Sequence, residues 1–148
     1  MPACPPPSEV ALPQARAPME FVSRYEQRPI TGGLPLVWDG SGNSSLTQLW
    51  VRDQPPRPLD FASLSALADI FFPRVYIRRS THVPVGTVSL TIYFHADASQ
   101  VAQTGSGYLL GQVRAQAFRN GYFDHTGQLW NEAGVLLVTT HQLVYYKQ

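Results

Sequence analysis

One acidic residue stands alone in an apolar stretch of this sequence. Asp69 is the only charged residue between Asp60 and Arg74, in a segment whose apolar positions recur at helical spacing. It falls near the C-terminal end of that predicted helix, where the helix macrodipole disfavours an anion. The carboxylate either reaches solvent at the helix end or is held with a raised pKa, and in the second case it can act as a general base.

Two further polar residues lie in predicted strands. Gln142 shares a strand face with Leu136, Val138 and Val144. Because a buried amide needs hydrogen-bond partners, Gln142 is either a satisfied structural amide or a group that orients a water or polarises a carbonyl. Thr87 opens an alternating strand, on the face that carries the strand's hydroxyls. Taken alone, Thr87 has the pattern of an ordinary strand threonine.

The sequence lacks the motifs of several other kinds of functional site. The four histidines are scattered without an HxH or HxxxH pair, and the one cysteine, Cys4, allows neither an internal disulfide nor a CxxC zinc site. The sequence has no P-loop, no GxGxxG and no GxSxG nucleophile elbow. We therefore expect neither a metal nor a cofactor.

Composition excludes some partners. The chain has 148 residues and a net charge of +1, so a basic nucleic-acid-binding surface is not expected. No apolar run approaches the ~20 residues of a membrane helix, and the N-terminus lacks a secretory pattern, which predicts a cytoplasmic protein without membrane attachment. Charged residues make up 14% of the chain, against ~25% in typical domains, so the surface is either unusually neutral or partly covered by a partner.

The elements that position these residues form one predicted domain. Residues 1–18 hold six of the thirteen prolines and are expected to form a disordered tail, followed by a single domain over residues 19–148. A buried helix is predicted over residues 59–72, with Asp60 as its N-cap and Pro73 ending it. Alternation and turn residues predict strands, which cover residues 21–26, 46–53, 86–96, 108–118, 121–130 and 135–146. The predicted class is α+β, with five or six antiparallel strands around one central helix.

Three segments together resemble a known family. The runs SALADIFFP (65–73), GTVSLTIYFHAD (86–97) and GVLLVTTHQLVYYK (134–147) are similar to the C-terminal half of acyl-CoA thioesterase II and its relatives. Those proteins carry two hotdog folds in one chain, and the resemblance covers about residues 20–147. It implies a hotdog fold and maps the family's catalytic trio onto Asp69, Thr87 and Gln142.

The resemblance also implies a substrate and an assembly. It implies hydrolysis of an acyl-CoA thioester, with room for the substrate beside Ala62, Ser65 and Ala66, and backbone N–H groups at a helix start to stabilise the oxyanion. Arg78 and Arg79 are candidates for binding the CoA phosphates. Since the first hotdog half is missing, we expect a homodimer with a continuous sheet.

Two alternatives remain beside hydrolysis. One is a non-catalytic module that binds acyl-CoA or a partner protein, as half of a split double-hotdog enzyme. The other is a different hotdog chemistry such as enoyl-CoA hydration, which ranks lower because no hydratase-like His motif surrounds Asp69.

Overall fold

The computed structural model describes residues 1–13, 20–34 and 39–147. One antiparallel sheet dominates these residues, with strand order β1-β2-β4-β6-β7-β3 and a two-residue strand, β5, paired to β6. The strands are β1 Tyr25–Thr31, β2 Thr47–Asp53, β3 Val85–Phe94, β4 Leu109–Arg114, β5 Phe118–Arg119, β6 Tyr122–Asn131 and β7 Leu136–Tyr146. The helices are α1 Phe61–Leu67 and α2 Ala98–Thr104, and short 3₁₀ turns cover Pro7–Glu9, Glu20–Arg24 and Arg74–Ile77.

The predicted α+β class is confirmed, with an antiparallel sheet packed on a central helix. The sheet has seven strands among the described residues, rather than five or six, because short β5 folds back on β6. The first strand also begins later than expected. Glu20–Arg24 forms a 3₁₀ turn, and β1 starts only at Tyr25. The prediction of a strand over residues 21–26 was therefore wrong for its first four residues.

The central helix is shorter than predicted. Asp60 caps α1 as expected, since its side chain accepts a hydrogen bond from the Ser63 N–H at 2.7 Å. The helix nevertheless ends at Leu67 instead of residue 72. The chain then tightens, with the Asp69 N–H donating to the Ala66 carbonyl at 3.2 Å.

The buried side chain of Phe71 explains this early end. A Cβ on Gly111 would lie 2.9 Å from Phe71 Cζ, so the ring occupies space that glycine leaves open on β4. Gly127 on β6 makes a similar close approach to the same ring. The segment after α1 thus leaves the helical path to insert Phe71 against the sheet, and this insertion anchors the turn that carries Asp69.

A second helix, α2, was absent from the sequence prediction. Its start is a capping box, in which Asp97 accepts from the Gln100 N–H and the Gln100 side chain accepts from the Asp97 N–H. The Asp97-x-x-Gln100 spacing was the available signal. Val101 is buried and ties α2 to the main core.

The N-terminal residues differ from the expected disordered tail where the structure describes them. Residues 1–13 run along the sheet face opposite α1, where Val10 is buried beside Trp50 and Leu110. The Trp50 indole N–H donates to the Pro5 carbonyl at 2.9 Å, and the Arg28 guanidinium donates to the Val10 carbonyl at 2.9 Å. Proline removes backbone donors but leaves carbonyl acceptors, and these bind the segment to the sheet. Residues 14–18 lie outside the described residues.

The length and hydrophobicity of the two α-helices show whether either could span a membrane. Within residues 1–13, 20–34 and 39–147, neither α-helix is long and apolar enough to cross a bilayer.

Candidate active site

Asp69, Thr87 and Gln142, although far apart in the sequence, meet at one point. The Gln142 amide nitrogen donates to Asp69 Oδ1 at 3.0 Å and to Thr87 Oγ1 at 2.8 Å. A turn after α1, the start of β3 and the last strand β7 therefore converge on a single polar cluster. The sequence prediction that these three side chains belong together agrees with this geometry, while their catalytic role stays a prediction.

Asp69 keeps contact with solvent, although protein surrounds part of its carboxyl group. The residue is exposed in the single chain, yet burial of the carboxyl raises its pKa above the usual 3.8. The hydrogen bond from Gln142 acts in the opposite direction and is the smaller effect. Both interpretations of this lone charge thus hold in part, because Asp69 is open to solvent and burial of its carboxyl nevertheless raises its pKa.

Gln142 is buried, with 3% of its surface exposed. Its strand face is shared with Val138, Thr140 and Val144, which are also buried. The prediction that Leu136 shares this face was wrong, because a register shift in the β6–β7 ladder buries Leu137 instead. Because a carboxylate can only accept, the amide nitrogen of Gln142 is the atom that faces Asp69.

Thr87 reaches the cluster through a β-bulge. Thr87 pairs with Val144 while Ser89 pairs with Leu143, so Val88 is the extra residue in β3. The bulge turns Thr87 onto the face of Leu90, which pairs with Gln142. The predicted placement of Thr87 on the same face as Ser89 was therefore wrong, because simple alternation does not allow for the inserted residue.

The stripe of small residues on α1 leads toward this cluster. Ala62 and Ala66 are exposed, and Ser65, whose hydroxyl donates to the Phe61 carbonyl at 2.7 Å, is half-buried. At the far end, the Phe61 ring meets the Phe94 ring edge-on, with centroids 5.5 Å apart. The start of α1 therefore lies near the end of β3, whereas Asp69, which follows α1, is joined through Gln142 to Thr87 near the start of β3. The stripe forms an open path of roughly 10 Å between the aromatic pair and the trio.

Arg78 and Arg79 differ in their relation to the cluster. The Arg79 guanidinium lies 5.5 Å from the centre of the Tyr146 ring, and Tyr146 pairs with Val85 at the end of β3 that carries Thr87. Arg78 is exposed, lies over Phe118 of β5 and donates to the Gly42 carbonyl at 3.3 Å. Arg79 is therefore at the same end of the sheet as the trio, whereas Arg78 points toward a loop.

A buried histidine, which sequence reasoning left among the scattered histidines, borders the trio. His125 pairs directly with Gln142 across the β6–β7 ladder and is 3% exposed. Burial lowers its pKa to about 4, and the nearby Arg74 guanidinium acts in the same direction. The alternation of buried Phe123, His125 and Leu129 along β6 was the signal that could have found it.

Metal binding has no support in the described part of the chain. Across residues 1–13, 20–34 and 39–147, no three His, Cys, Asp or Glu side chains are grouped so that they could hold a metal ion.

Sequence comparison assigns the chain to a thioesterase family. Residues 2–146 match the family model described as the acyl-CoA thioesterase C-terminal domain. No protein with curated annotation shows a significant match.

Several solved structures share the fold. A hotdog-fold protein of unknown function from Alicyclobacillus acidocaldarius is 45% identical, with a TM-score of 0.89 over 100% of this chain and 55% of that one. An acyl-CoA thioesterase II from Mycobacterium marinum is 20% identical, with a TM-score of 0.68 over 99% of this chain and 55% of its own. The tesB protein of Mycobacterium avium subs paratuberculosis is also 20% identical, with a TM-score of 0.69 over 100% and 54%. The chain thus spans about half the length of these proteins.

Proposed function

The chain belongs to the acyl-CoA thioesterase family, as a match to its C-terminal hotdog domain, and from this premise we propose that it hydrolyses an acyl-CoA thioester to the free acid and CoA. The observation that carries the proposal is the convergence of Asp69, Thr87 and Gln142 through two hydrogen bonds of 3.0 and 2.8 Å. Residues from three separate segments meet there beside an open surface, which is the arrangement that base-assisted hydrolysis requires.

Asp69 acts as the general base. One carboxylate oxygen accepts from Gln142, which leaves the other to take a proton from the attacking water. Burial raises the pKa of Asp69, so its carboxylate is a stronger base than an ordinary aspartate. The resulting hydroxide adds to the thioester carbonyl carbon, the C–S bond breaks, and the proton on Asp69 passes to the departing CoA thiolate.

Gln142 and Thr87 hold the reacting groups in place. The buried Gln142 amide fixes the carboxylate by one N–H and the Thr87 hydroxyl by the other. The Thr87 hydroxyl oxygen accepts its hydrogen bond from Gln142, so the hydroxyl hydrogen remains free to be donated to the attacking water. Such positioning contributes to rate by holding the nucleophile in a productive geometry.

The substrate lies along the small-residue stripe. Ala62, Ser65 and Ala66 leave space for the acyl-thioester beside α1, on the path that ends at Asp69. Arg79, at the trio's end of the sheet, is better placed than Arg78 to bind a CoA phosphate. Both arginines remain candidates in the proposal.

The oxyanion donors come from outside this single domain. The start of α1 lies at the opposite end of the helix from Asp69, and Asp60 already caps its Ser63 N–H. The helix start that the resemblance implies as the source of the oxyanion donors is therefore not the start of α1. We assign the donors to a second hotdog domain, supplied by another copy of the chain in a homodimer.

The first experiment is a thiol-release assay with a panel of acyl-CoAs, comparing wild type with Asp69→Asn. Removal of a general base typically lowers kcat by ~10²–10⁴-fold, and we expect a loss in that range. The matched control is Asp39→Asn, which makes the same carboxyl-to-amide change at an exposed loop residue and should leave the rate unchanged. An Asp69→Asn rate within threefold of wild type would overturn the base assignment.

A non-catalytic binding module is the second candidate. It is favoured by one observation, the apolar side chains left exposed along α1 and β3, which include Phe61, Val88 and Phe94. Such a surface suits acyl-CoA or a partner hotdog domain even without turnover. Tight acyl-CoA binding with no hydrolysis by the wild-type chain would establish this function instead. A cytoplasmic location stays a prediction in either case.

A further inference from the structure

His125 is a buried polar side chain that the mechanism above does not use. It lies on β6 and pairs directly with Gln142 on β7, and both side chains are 3% exposed. Directly opposed residues on one sheet face have their Cβ atoms about 4.5–5.5 Å apart, so the imidazole and the amide are neighbours.

The Gln142 amide has one polar atom that the trio does not satisfy. Its nitrogen donates both to Asp69 and to Thr87, which uses its two N–H groups. Its carbonyl oxygen is buried with the rest of the side chain and requires a donor. The His125 imidazole, directly opposite on β6, is placed to provide that donor, and the effect of Gln142 in raising the pKa of His125 agrees with this placement.

The tautomer of His125 follows from its surroundings. Burial and the Arg74 guanidinium lower the pKa of His125 to about 4, outweighing the opposite effects of Gln142 and Asp124, while His141 adds a small lowering. The ring is therefore neutral near pH 7 and carries one N–H. Its Nδ1 is buried without a hydrogen-bond partner, which leaves Nε2 as the nitrogen that carries the proton and donates.

We propose that His125 is a positioning residue, whose Nε2–H donates to the Gln142 carbonyl oxygen and so turns the amide nitrogen toward Asp69 and Thr87. An amide has two orientations that differ only by exchange of its oxygen and nitrogen. Without the His125 donor, the amide oxygen would be buried with no donor in the working orientation, and only Asp69 and Thr87 would then hold the amide nitrogen toward them. The inference rests on the proposed hydrolysis for its effect on rate, but the orientation itself does not.

The kinetic test compares His125→Leu with His125→Gln. Leucine removes the donor and keeps an apolar side chain, and we expect kcat to fall by up to ~10²-fold while KM changes less than twofold. Glutamine places an amide N–H near the position of the imidazole Nε2 and should restore most of kcat. Equal losses in both variants, or a His125→Leu variant with wild-type kcat, would overturn the proposal.

An NMR test of the wild-type chain decides the orientation without any catalysis. Long-range ¹H–¹⁵N spectra of ¹⁵N-histidine-labelled protein, assigned with His125→Gln, should show Nε2 protonated and Nδ1 bare from pH 8 to pH 5.5. Protonation at Nδ1, or a charged ring within that range, would overturn the proposal even if the enzyme is active. The expected tautomer in a chain without hydrolytic activity would support the orientation and refute only the proposed function.

Discussion

At the scale of single residues, the charged carboxylate of Asp69 should lower the stability of the folded protein at neutral pH. Its pKa is raised above 3.8 by burial, so the folded state binds the proton more tightly than the unfolded state does. The carboxyl therefore contributes stability at low pH that is lost as pH rises through its folded pKa. We expect Asp69→Asn to have a higher Tm than wild type at pH 7, measured by differential scanning calorimetry.

The raised pKa of Asp69 also determines how the Tm difference between the two proteins depends on pH. The Tm difference between Asp69→Asn and wild type should shrink as pH falls toward 3.8, because wild-type Asp69 becomes protonated in both states. A variant that is less stable than wild type at pH 7 would show that the carboxylate is stabilised by its neighbours. Activity and stability would then not oppose each other at this position.

The hydroxyl of Thr87 provides a second test at this scale. Thr87→Val removes the oxygen that accepts from Gln142, at nearly constant shape, and should lower kcat about tenfold, the worth of one hydrogen bond in the transition state. Thr87→Ser keeps the hydroxyl and should retain most activity. The control is Thr91→Val on the same strand, whose exposed side chain should be dispensable. If Thr87→Val matched wild type in the thiol-release assay, the hydroxyl would have no role.

Sequence reasoning found two of these residues from their surroundings. Asp69 and Gln142 are each a polar group among apolar neighbours, and such groups are costly unless they have partners. The face of Thr87 was misassigned because nothing in the alternation of β3 signals the extra residue Val88. His125 was missed because one histidine is informative only when its strand face and its cross-strand partner are known.

At the scale of elements, period-two patterns located the long strands, whereas the ends of α1 depended on packing. Strands β6 and β7 fall close to their predicted ranges because alternation continues over ten or eleven residues. The apolar spacing of α1 continued to residue 72, but it did not distinguish a longer helix from a turn that inserts Phe71 into the sheet. Tertiary contact with two glycines decided that boundary, and local pattern cannot report it.

That contact predicts an effect at a distance from the trio. Gly111→Ala would place a Cβ 2.9 Å from Phe71 Cζ and 3.1 Å from Leu129 Cδ2, an overpacking that costs about 1–3 kcal/mol in free energy of unfolding. Because Phe71 follows Asp69 by two residues, kcat should fall as well. Urea unfolding and the thiol-release assay measure the two effects.

The control for this prediction is Gly86→Ala on β3. A Cβ at Gly86 meets no atom within 4 Å, so its free energy of unfolding should change little. Equal destabilisation by both alanines would point to a general requirement for glycine flexibility, and an unaffected Gly111→Ala would show that Phe71 can shift without cost.

At the scale of the whole molecule, the sheet ends on a long edge strand that bears apolar side chains. β3 is the last strand in the order, and Val88, Tyr93 and Phe94 are 56%, 57% and 45% exposed. An open edge of ten residues invites pairing with another strand. Residues 1–13 cover the opposite sheet face at β2 and β4, so they do not cover the exposed apolar side chains of β3. The low charge content noted in the sequence is consistent with a surface that is covered in an assembly.

These features predict a homodimer through the β3 edge, required for hydrolysis. Tyr93→Arg places a charge on that edge, away from the bulge at Val88 that orients Thr87, and we expect sedimentation velocity to show monomers where wild type sediments at twice the chain mass. The matched control is Tyr122→Arg, an exposed aromatic on β6 that should remain dimeric and active. Because the oxyanion donors are assigned to the second copy, Tyr93→Arg should also lose thiol release, even though Asp69, Thr87 and Gln142 are unchanged. A wild-type chain that is monomeric at assay concentration and still hydrolyses acyl-CoA would refute this assignment, since one hotdog domain would then supply the whole site.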